Sequence, residues 1–109
     1  MFTPRVQNDQ TDLLMEALLS LHSIDEAYRF CEDVLSVQEL KSITQRLEVA
    51  ALLRQKITYQ AIAKKTGAST ATISRVNRCL VYGADGYNLL LDRLAEKKVL
   101  PNAENEEQL

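Results

Sequence analysis

The residues best suited to chemistry are a group of hydroxyl, methyl and guanidinium side chains between Ser69 and Arg78. If this stretch is a helix turning by about 100° per residue, Ala71, Arg75 and Arg78 point away from Ile73. Small and hydroxyl-bearing residues at the start of such a helix suit base edges and thymine methyl groups, and arginines suit guanine or phosphate. The pattern therefore indicates a surface that reads duplex DNA. The other members of this face are Thr70, Thr72 and Ser74.

Other kinds of chemistry have little support in the sequence. His22 is the only histidine, and the spacing of other residues suggests neither a catalytic triad nor a metal site around it. Cys31 and Cys79 lack the spacing of metal ligands or redox pairs, which predicts two free thiols in a reducing compartment. The sequence contains no glycine-rich phosphate loop. We therefore expect no enzymatic activity, no metal and no cofactor.

Charge is distributed unevenly along the chain. The whole sequence has a formal net charge of −2. Residues 49–84, however, contain six basic residues and no Asp or Glu, so all 15 acidic residues lie elsewhere. A local basic region on an acidic protein is typical of DNA binding. The six basic residues are Arg54, Lys56, Lys64, Lys65, Arg75 and Arg78.

The basic region also has the pattern of a helix-turn-helix. Thr58 is placed to cap a first helix that ends at Gly67, a residue that readily adopts positive φ. Ser69 is placed to cap a second helix, on which Ile73 and Val76 share the apolar face. Two short helices joined by such a turn form the motif. Further support comes from Ile57 and Ile62, spaced as a hydrophobic staple, and from the small Ala63.

The helix-turn-helix pattern has a purely structural alternative. Two amphipathic helices joined by a glycine turn also occur in all-α proteins that do not bind DNA. The caps, the staple, the core anchors and the basic region together favour DNA binding over this alternative.

The remaining sequence predicts helices throughout. Glycine and proline are scarce, at three and two residues, which favours long helical segments. Capping-box patterns at Ser23–Glu26 and Ser36–Glu39 open a second and a third helix, after a first that starts near Asp9 or Thr11. The third helix spans about residues 36–55 and the last about residues 86–98. We therefore predict an all-α fold of about six helices.

The predicted organisation has three parts. Residues 1–8 form a flexible arm, residues 9–99 an all-helical DNA-binding domain, and residues 100–109 an acidic disordered tail. The helix-turn-helix occupies about residues 58–80. The leucine-rich faces of the first and last helices need a cover, and a second copy of the chain is the simplest one. Because no signal peptide or membrane span is recognisable, we expect a cytoplasmic protein.

These stretches resemble the Trp repressor family, in particular its YerC/YecD-type members. The likeness covers about residues 35–80, LSVQELKSITQRLEVAALLRQKITYQAIAKKTGASTATISRVNRCL, and continues in VYGADGYNLLLDRL. The segment GASTATISR is its most specific piece. The resemblance implies an intertwined homodimer and a repressor of transcription, in which the helices before and after the helix-turn-helix interlock between subunits.

The resemblance also implies roles for individual residues in contact with double-stranded DNA. The first helix of the motif would lie near the DNA backbone, and the start of the second would face the major groove. With the basic side chains added, the predicted DNA-binding residues are Thr58, Tyr59, Gln60, Lys64, Ser69, Thr70, Ala71, Thr72, Ser74, Arg75 and Arg78.

A possible effector cleft is implied in the same way. In tryptophan-responsive members the indole lies between two arginines, which correspond to Arg46 and Arg75, beside a glycine that is replaced here by Val76. Cys79 replaces a hydroxyl of that cleft, whereas Ser36 keeps one. Because a branched side chain at Val76 intrudes on the indole, tryptophan is not expected as the effector, and an unidentified small molecule stays open. Two further alternatives stay open: a helical protein–protein interaction module and a ligand sensor without direct operator binding.

Overall fold

The computed structural model of the protein describes residues 2–98 and Leu100. The predicted acidic tail lies outside the described residues except for Leu100. The described part is all-α, as predicted, and residues 2–8 precede the first helix. The helices are α1 (Asp9–Leu19), α2 (Ile24–Val34), α3 (Val37–Arg54), α4 (Tyr59–Thr66), α5 (Thr70–Tyr82) and α6 (Gly86–Glu96). No helix among the described residues is long and apolar enough to cross a membrane.

The starts of α2, α3, α4 and α5 agree with the predicted caps because each cap acts within one turn. The hydroxyl of Ser36 accepts a hydrogen bond from the Glu39 N–H at 3.0 Å, and the Glu39 carboxylate accepts one from the Ser36 N–H at 2.8 Å. The Ser23 hydroxyl caps α2 through the Glu26 N–H at 3.1 Å. The Glu26 carboxylate, however, accepts a hydrogen bond from the N–H of His22 instead of Ser23, so the capping box at the start of α2 is displaced by one residue.

The chain divides into two compact units, residues 1–40 and residues 41–109. The first unit contains α1, α2 and the start of α3, and none of its residues from Phe2 to Leu40 is buried. Large apolar side chains therefore remain exposed on both helices. The most exposed of them are Leu13, Leu19 and Ile24, at 72%, 79% and 78%.

The hydrophobic core lies in the second unit. Four consecutive residues of α3, Val49 to Leu52, are buried, so this part of the helix is enclosed on every side. Ile62 of α4, Ala68 of the turn after α4 and Leu91 of α6 complete the core together with two residues of α5. Those two residues are Ile73 and Val76.

Three details differ from the sequence-based expectations. Leu90 and Ile43 lie at the apolar spacing of their helices, where the sequence predicts burial, but they are 51% and 44% exposed. Asp85 immediately precedes α6, where an aspartate is predicted to act as the N-cap, yet its carboxylate does not cap the helix backbone. It accepts a hydrogen bond from the Asn88 side chain instead, because its left-handed backbone (φ 69°) places it differently from an ordinary cap.

Candidate nucleic-acid interface

The first helix of the motif, α4, is held at both ends by the predicted residues. The hydroxyl of Thr58 accepts a hydrogen bond from the Ala61 N–H at 3.2 Å. Gly67 ends the helix with φ 76°, and its N–H donates to the Ala63 carbonyl at 2.9 Å. Ile62 points into the core with no exposed surface, so the opposite side of α4 faces outward. That outward side presents Gln60 and Lys64, and Tyr59 at the start of the helix is 37% exposed.

The turn between α4 and α5 is tied together by Thr66. Its hydroxyl donates to the Ile62 carbonyl at 2.8 Å and accepts from the Ala68 N–H at 3.1 Å. Its backbone carbonyl accepts a hydrogen bond from the side-chain amide of Gln45 in α3, at 3.2 Å. Gln45 therefore links α3 to the turn between α4 and α5. Sequence analysis missed this residue because its partner is 21 positions away.

The start of α5 is built by two hydroxyl residues. Ser69 accepts a hydrogen bond from the Thr72 N–H at 3.1 Å and donates to the Thr72 hydroxyl at 3.1 Å. Ile73 and Val76 are buried, and this places the remaining predicted residues of α5 on its outer side. Thr72 is half-buried, whereas the other members are exposed: Ser69, Thr70, Ala71, Ser74, Arg75 and Arg78.

The structure thus collects the predicted DNA-binding residues on the outer sides of α4 and α5, and we call this set the reading surface. Its members are Thr58, Tyr59, Gln60, Lys64, Ser69, Thr70, Ala71, Thr72, Ser74, Arg75 and Arg78. The surface combines three exposed cations with hydroxyl, amide and methyl groups. Such a set can bind phosphate and read base edges at once.

Two of the six basic residues of the region do not contribute open positive charge to this surface. Arg54 forms an ion pair with Asp92 of α6. The ammonium nitrogen of Lys65 is buried. The other four cations of the region are exposed: Lys56, Lys64, Arg75 and Arg78. The sequence did not reveal this distinction, because the pairing of Arg54 joins residues 38 positions apart.

The residues of the implied effector cleft have separate environments. Val76 is only 2% exposed and packs in the core with Ile73, so its isopropyl group fills space that a glycine would leave open. Ser36 belongs to the first unit, and its hydroxyl is engaged in capping α3. Arg75 is exposed on α5.

Arg46 and Cys79 both act on the phenol of Tyr87 in α6. Burial raises the pKa of Tyr87 above its ordinary value of 10.0, while the positive charge of Arg46 lowers this pKa and Cys79 raises it further. Tyr87 is half-buried and packs against the core. The sequence places Tyr87 at helical spacing with Leu91 and Leu94, but only the fold shows the electrostatic effect of Arg46 and Cys79 on its phenol.

Comparison with known proteins gives consistent matches over most of the chain. The family model described as Trp repressor protein matches residues 9–95. The uncharacterized protein YerC of Bacillus subtilis (strain 168) is 49% identical over 92 residues, which cover 84% of this chain and 88% of that protein.

Two solved structures resemble the present one closely. The crystal structure of a TrpR-like protein from Eubacterium eligens ATCC 27750 aligns with a TM-score of 0.81 and 50% identity, over 90% of this chain and 98% of that one. A structure from Staphylococcus aureus aligns with a TM-score of 0.79 and 43% identity, over 84% and 91% of the two chains.

Proposed function

The chain belongs to the Trp repressor family, and we propose that it is a cytoplasmic, sequence-specific DNA-binding regulator of transcription that acts as a repressor. The observation that carries this proposal is the reading surface: one face of α4 and α5 exposes the residues of a DNA-binding motif while the other face completes the core.

The mechanism follows from the position of each group. The N-terminal end of α5 enters the major groove, because its first residues are small and carry hydroxyl or methyl groups that fit close to base edges. Arg75, one turn further along, reaches a guanine or a phosphate. Lys64 and Tyr59 on α4 contact the backbone and set the register, because phosphate contacts position a protein on the duplex without reading its sequence.

The direct test is duplex DNA binding as a function of salt. Sites selected from a random duplex library supply the probe. If each of the four exposed cations neutralises one phosphate, a protomer contributes about −3.6 to the slope of log K against log[salt], and two protomers about −7. A flat salt dependence, or no binding at low salt, would favour the helical protein–protein interaction module instead.

We further propose that two copies form a homodimer. The supporting observation comes from the first unit. It carries exposed apolar side chains, and none of its 39 described residues from Phe2 to Leu40 is buried. A segment of this size is not stable unless its apolar side chains are buried against another surface. A second copy of the chain offers an equally apolar surface. Two reading surfaces in one dimer also match two successive major grooves, about one helical turn apart. Sedimentation equilibrium tests this: a monomer at micromolar concentration contradicts the proposal.

An effector, if one binds near Arg46 and Arg75, is a small molecule other than tryptophan. The buried Val76 supports this view, because its side chain occupies the position of the glycine that accommodates an indole in tryptophan-responsive members. A thermal-shift screen of amino acids and metabolites tests for an effector, since a ligand at 100 times its Kd stabilises the folded state by about 2.7 kcal/mol. A screen without any shift would leave constitutive DNA binding.

A further inference from the structure

A chain of polar contacts connects three helices at the end of α5 away from the turn. Arg54, the last residue of α3, donates from Nη1 to the backbone carbonyl of Asn88 at 3.1 Å and pairs through Nη2 with the Asp92 carboxylate. The guanidinium therefore binds two groups one turn apart on α6. This two-point contact restrains both the position and the rotation of α6 against the end of α3.

Asn88 carries the connection from α6 to α5. Its side-chain amide donates to the Leu80 carbonyl at 3.1 Å and to the Asp85 carboxylate at 2.9 Å, so both amide hydrogens are engaged. The Leu80 carbonyl is one of the last four of α5, which have no donor within the helix. A side chain of α6 thus caps the C-terminal end of α5, the helix that carries most of the reading surface.

The N-terminal end of α5 is already anchored through the turn, where Gln45 of α3 binds the Thr66 carbonyl. The contacts of Arg54 with Asn88, and of Asn88 with Leu80, anchor the other end of α5 to α3 as well. Because both ends of α5 are held to α3 by these contacts, the orientation of α5 is restrained. Base readout depends on this orientation, because contacts to base edges lose their geometry when a helix shifts by about 1 Å.

We propose that Arg54, Asp92 and Asn88 are positioning residues for DNA readout: they hold α5 at the angle at which its side chains meet base edges, without touching DNA themselves. This inference rests on the proposed function, and it assigns to Arg54 a role different from the phosphate contact that its charge alone suggests.

Asp92→Asn separates the two roles of Arg54 by the direction of its effect. If Arg54 contacts phosphate, removing the neighbouring carboxylate raises the local positive charge and tightens DNA binding. If Arg54 positions α6, the same change loosens the two-point contact and weakens binding to the selected site. The fold is expected to tolerate the change because the Asp92 side chain is 65% exposed, and an ion pair with such access to water contributes little to stability.

The experiment measures the affinity of full-length protein for its selected site and for a scrambled duplex, at several salt concentrations. For Asp92→Asn we expect a roughly tenfold loss at the selected site, the lower end of what one base contact contributes, with scrambled binding unchanged or slightly tighter. Asn88→Ala should act in the same direction, with a thermal melt to confirm folding. Glu96→Gln, which also removes an exposed acid from α6, serves as the charge-matched control and should not lower specific affinity.

Two outcomes overturn the inference. One is an Asp92→Asn protein that binds its selected site as tightly as the parent or more tightly. The other is a parallel loss at selected and scrambled duplexes, which indicates a smaller folded fraction instead of a misplaced helix. Failure of the parent protein to bind any selected duplex would instead refute the proposed function itself, so the two failures are distinguishable.

Discussion

The hydroxyl of Ser69 donates a hydrogen bond to the hydroxyl of Thr72 at 3.1 Å and accepts one from the Thr72 backbone N–H at the same distance. One residue thus caps α5 and orients a neighbouring side chain of the reading surface. Under the proposed function, stability and DNA readout are therefore coupled at the N-terminal end of this helix, since the loss of the Ser69 hydroxyl affects both.

Ser69→Ala should lower the free energy of unfolding by about 1 kcal/mol, the usual cost of losing an N-cap hydroxyl. Thermal or urea unfolding measures the change. Ser74→Ala is the control, because Ser74 is exposed in the interior of the same helix, and it should change stability by less than about 0.5 kcal/mol. Equal effects of the two substitutions would contradict the capping role.

Arg75→Ala and Thr72→Ala should each weaken binding to the selected site by about 1–3 kcal/mol and leave the fold intact. The reason is the loss of one base or phosphate contact from α5. Fluorescence anisotropy with the selected duplex measures the loss. Arg93→Ala removes the same charge from an exposed position of α6 and serves as the control. Full site-specific affinity in both reading-surface variants would show that this face does not read DNA.

Gly67→Ala should destabilise the protein by about 1–2 kcal/mol. A Cβ at this position meets no atom within 4 Å, so the cost is the left-handed backbone at φ 76° and not a clash. Gly86 has equally open surroundings and no positive φ, so Gly86→Ala should be neutral or stabilising. Chemical unfolding of the two variants measures the difference, and a harmless Gly67→Ala would show that the turn tolerates another conformation.

Tyr87 should make the protein sensitive to alkaline pH. Burial raises the pKa of its phenol in the folded state, so the unfolded chain releases this proton first as the pH rises above about 10. The contribution of Tyr87 to the free energy of unfolding is fully present below that pH and is lost as the pH rises through the folded-state pKa. Unfolding titrations of Tyr87→Phe should show a smaller alkaline loss than the parent. Tyr82→Phe, at an 82% exposed position, should behave as the parent does.

Val76→Gly should cost about 3 kcal/mol, from the lost core methyl groups and the flexibility of glycine in a helix. Val81→Gly, on an exposed position of the same helix, isolates the helix-propensity part and should cost much less. Calorimetry with tryptophan should give no binding heat for the unmodified protein. Binding by the unmodified protein would refute the assigned role of Val76, whereas binding gained only in Val76→Gly would support it.

Much of the fold could be predicted because its signals are local. Thr58 caps α4 through Ala61, and Ser36 exchanges hydrogen bonds with Glu39, each within three residues. The positive φ at Gly67 follows in the same way from the residue type best able to adopt it. The outward orientation of the predicted DNA-binding residues then follows from helical periodicity, once Ile73 is assigned to the core.

The sequence by itself therefore determined the six helices, the caps of α2, α3, α4 and α5, and the face of α5 that points outward. Only the tertiary structure decided which cations of the basic region are available to a ligand, since Arg54 forms an ion pair with Asp92, 38 positions away. It also decided that Leu91 is buried while neighbouring Leu90 is half exposed, and that Tyr87 interacts with Arg46 and Cys79. The physical reason is range: caps and periodicity act within one or two turns, whereas ion pairs and burial depend on how distant helices pack.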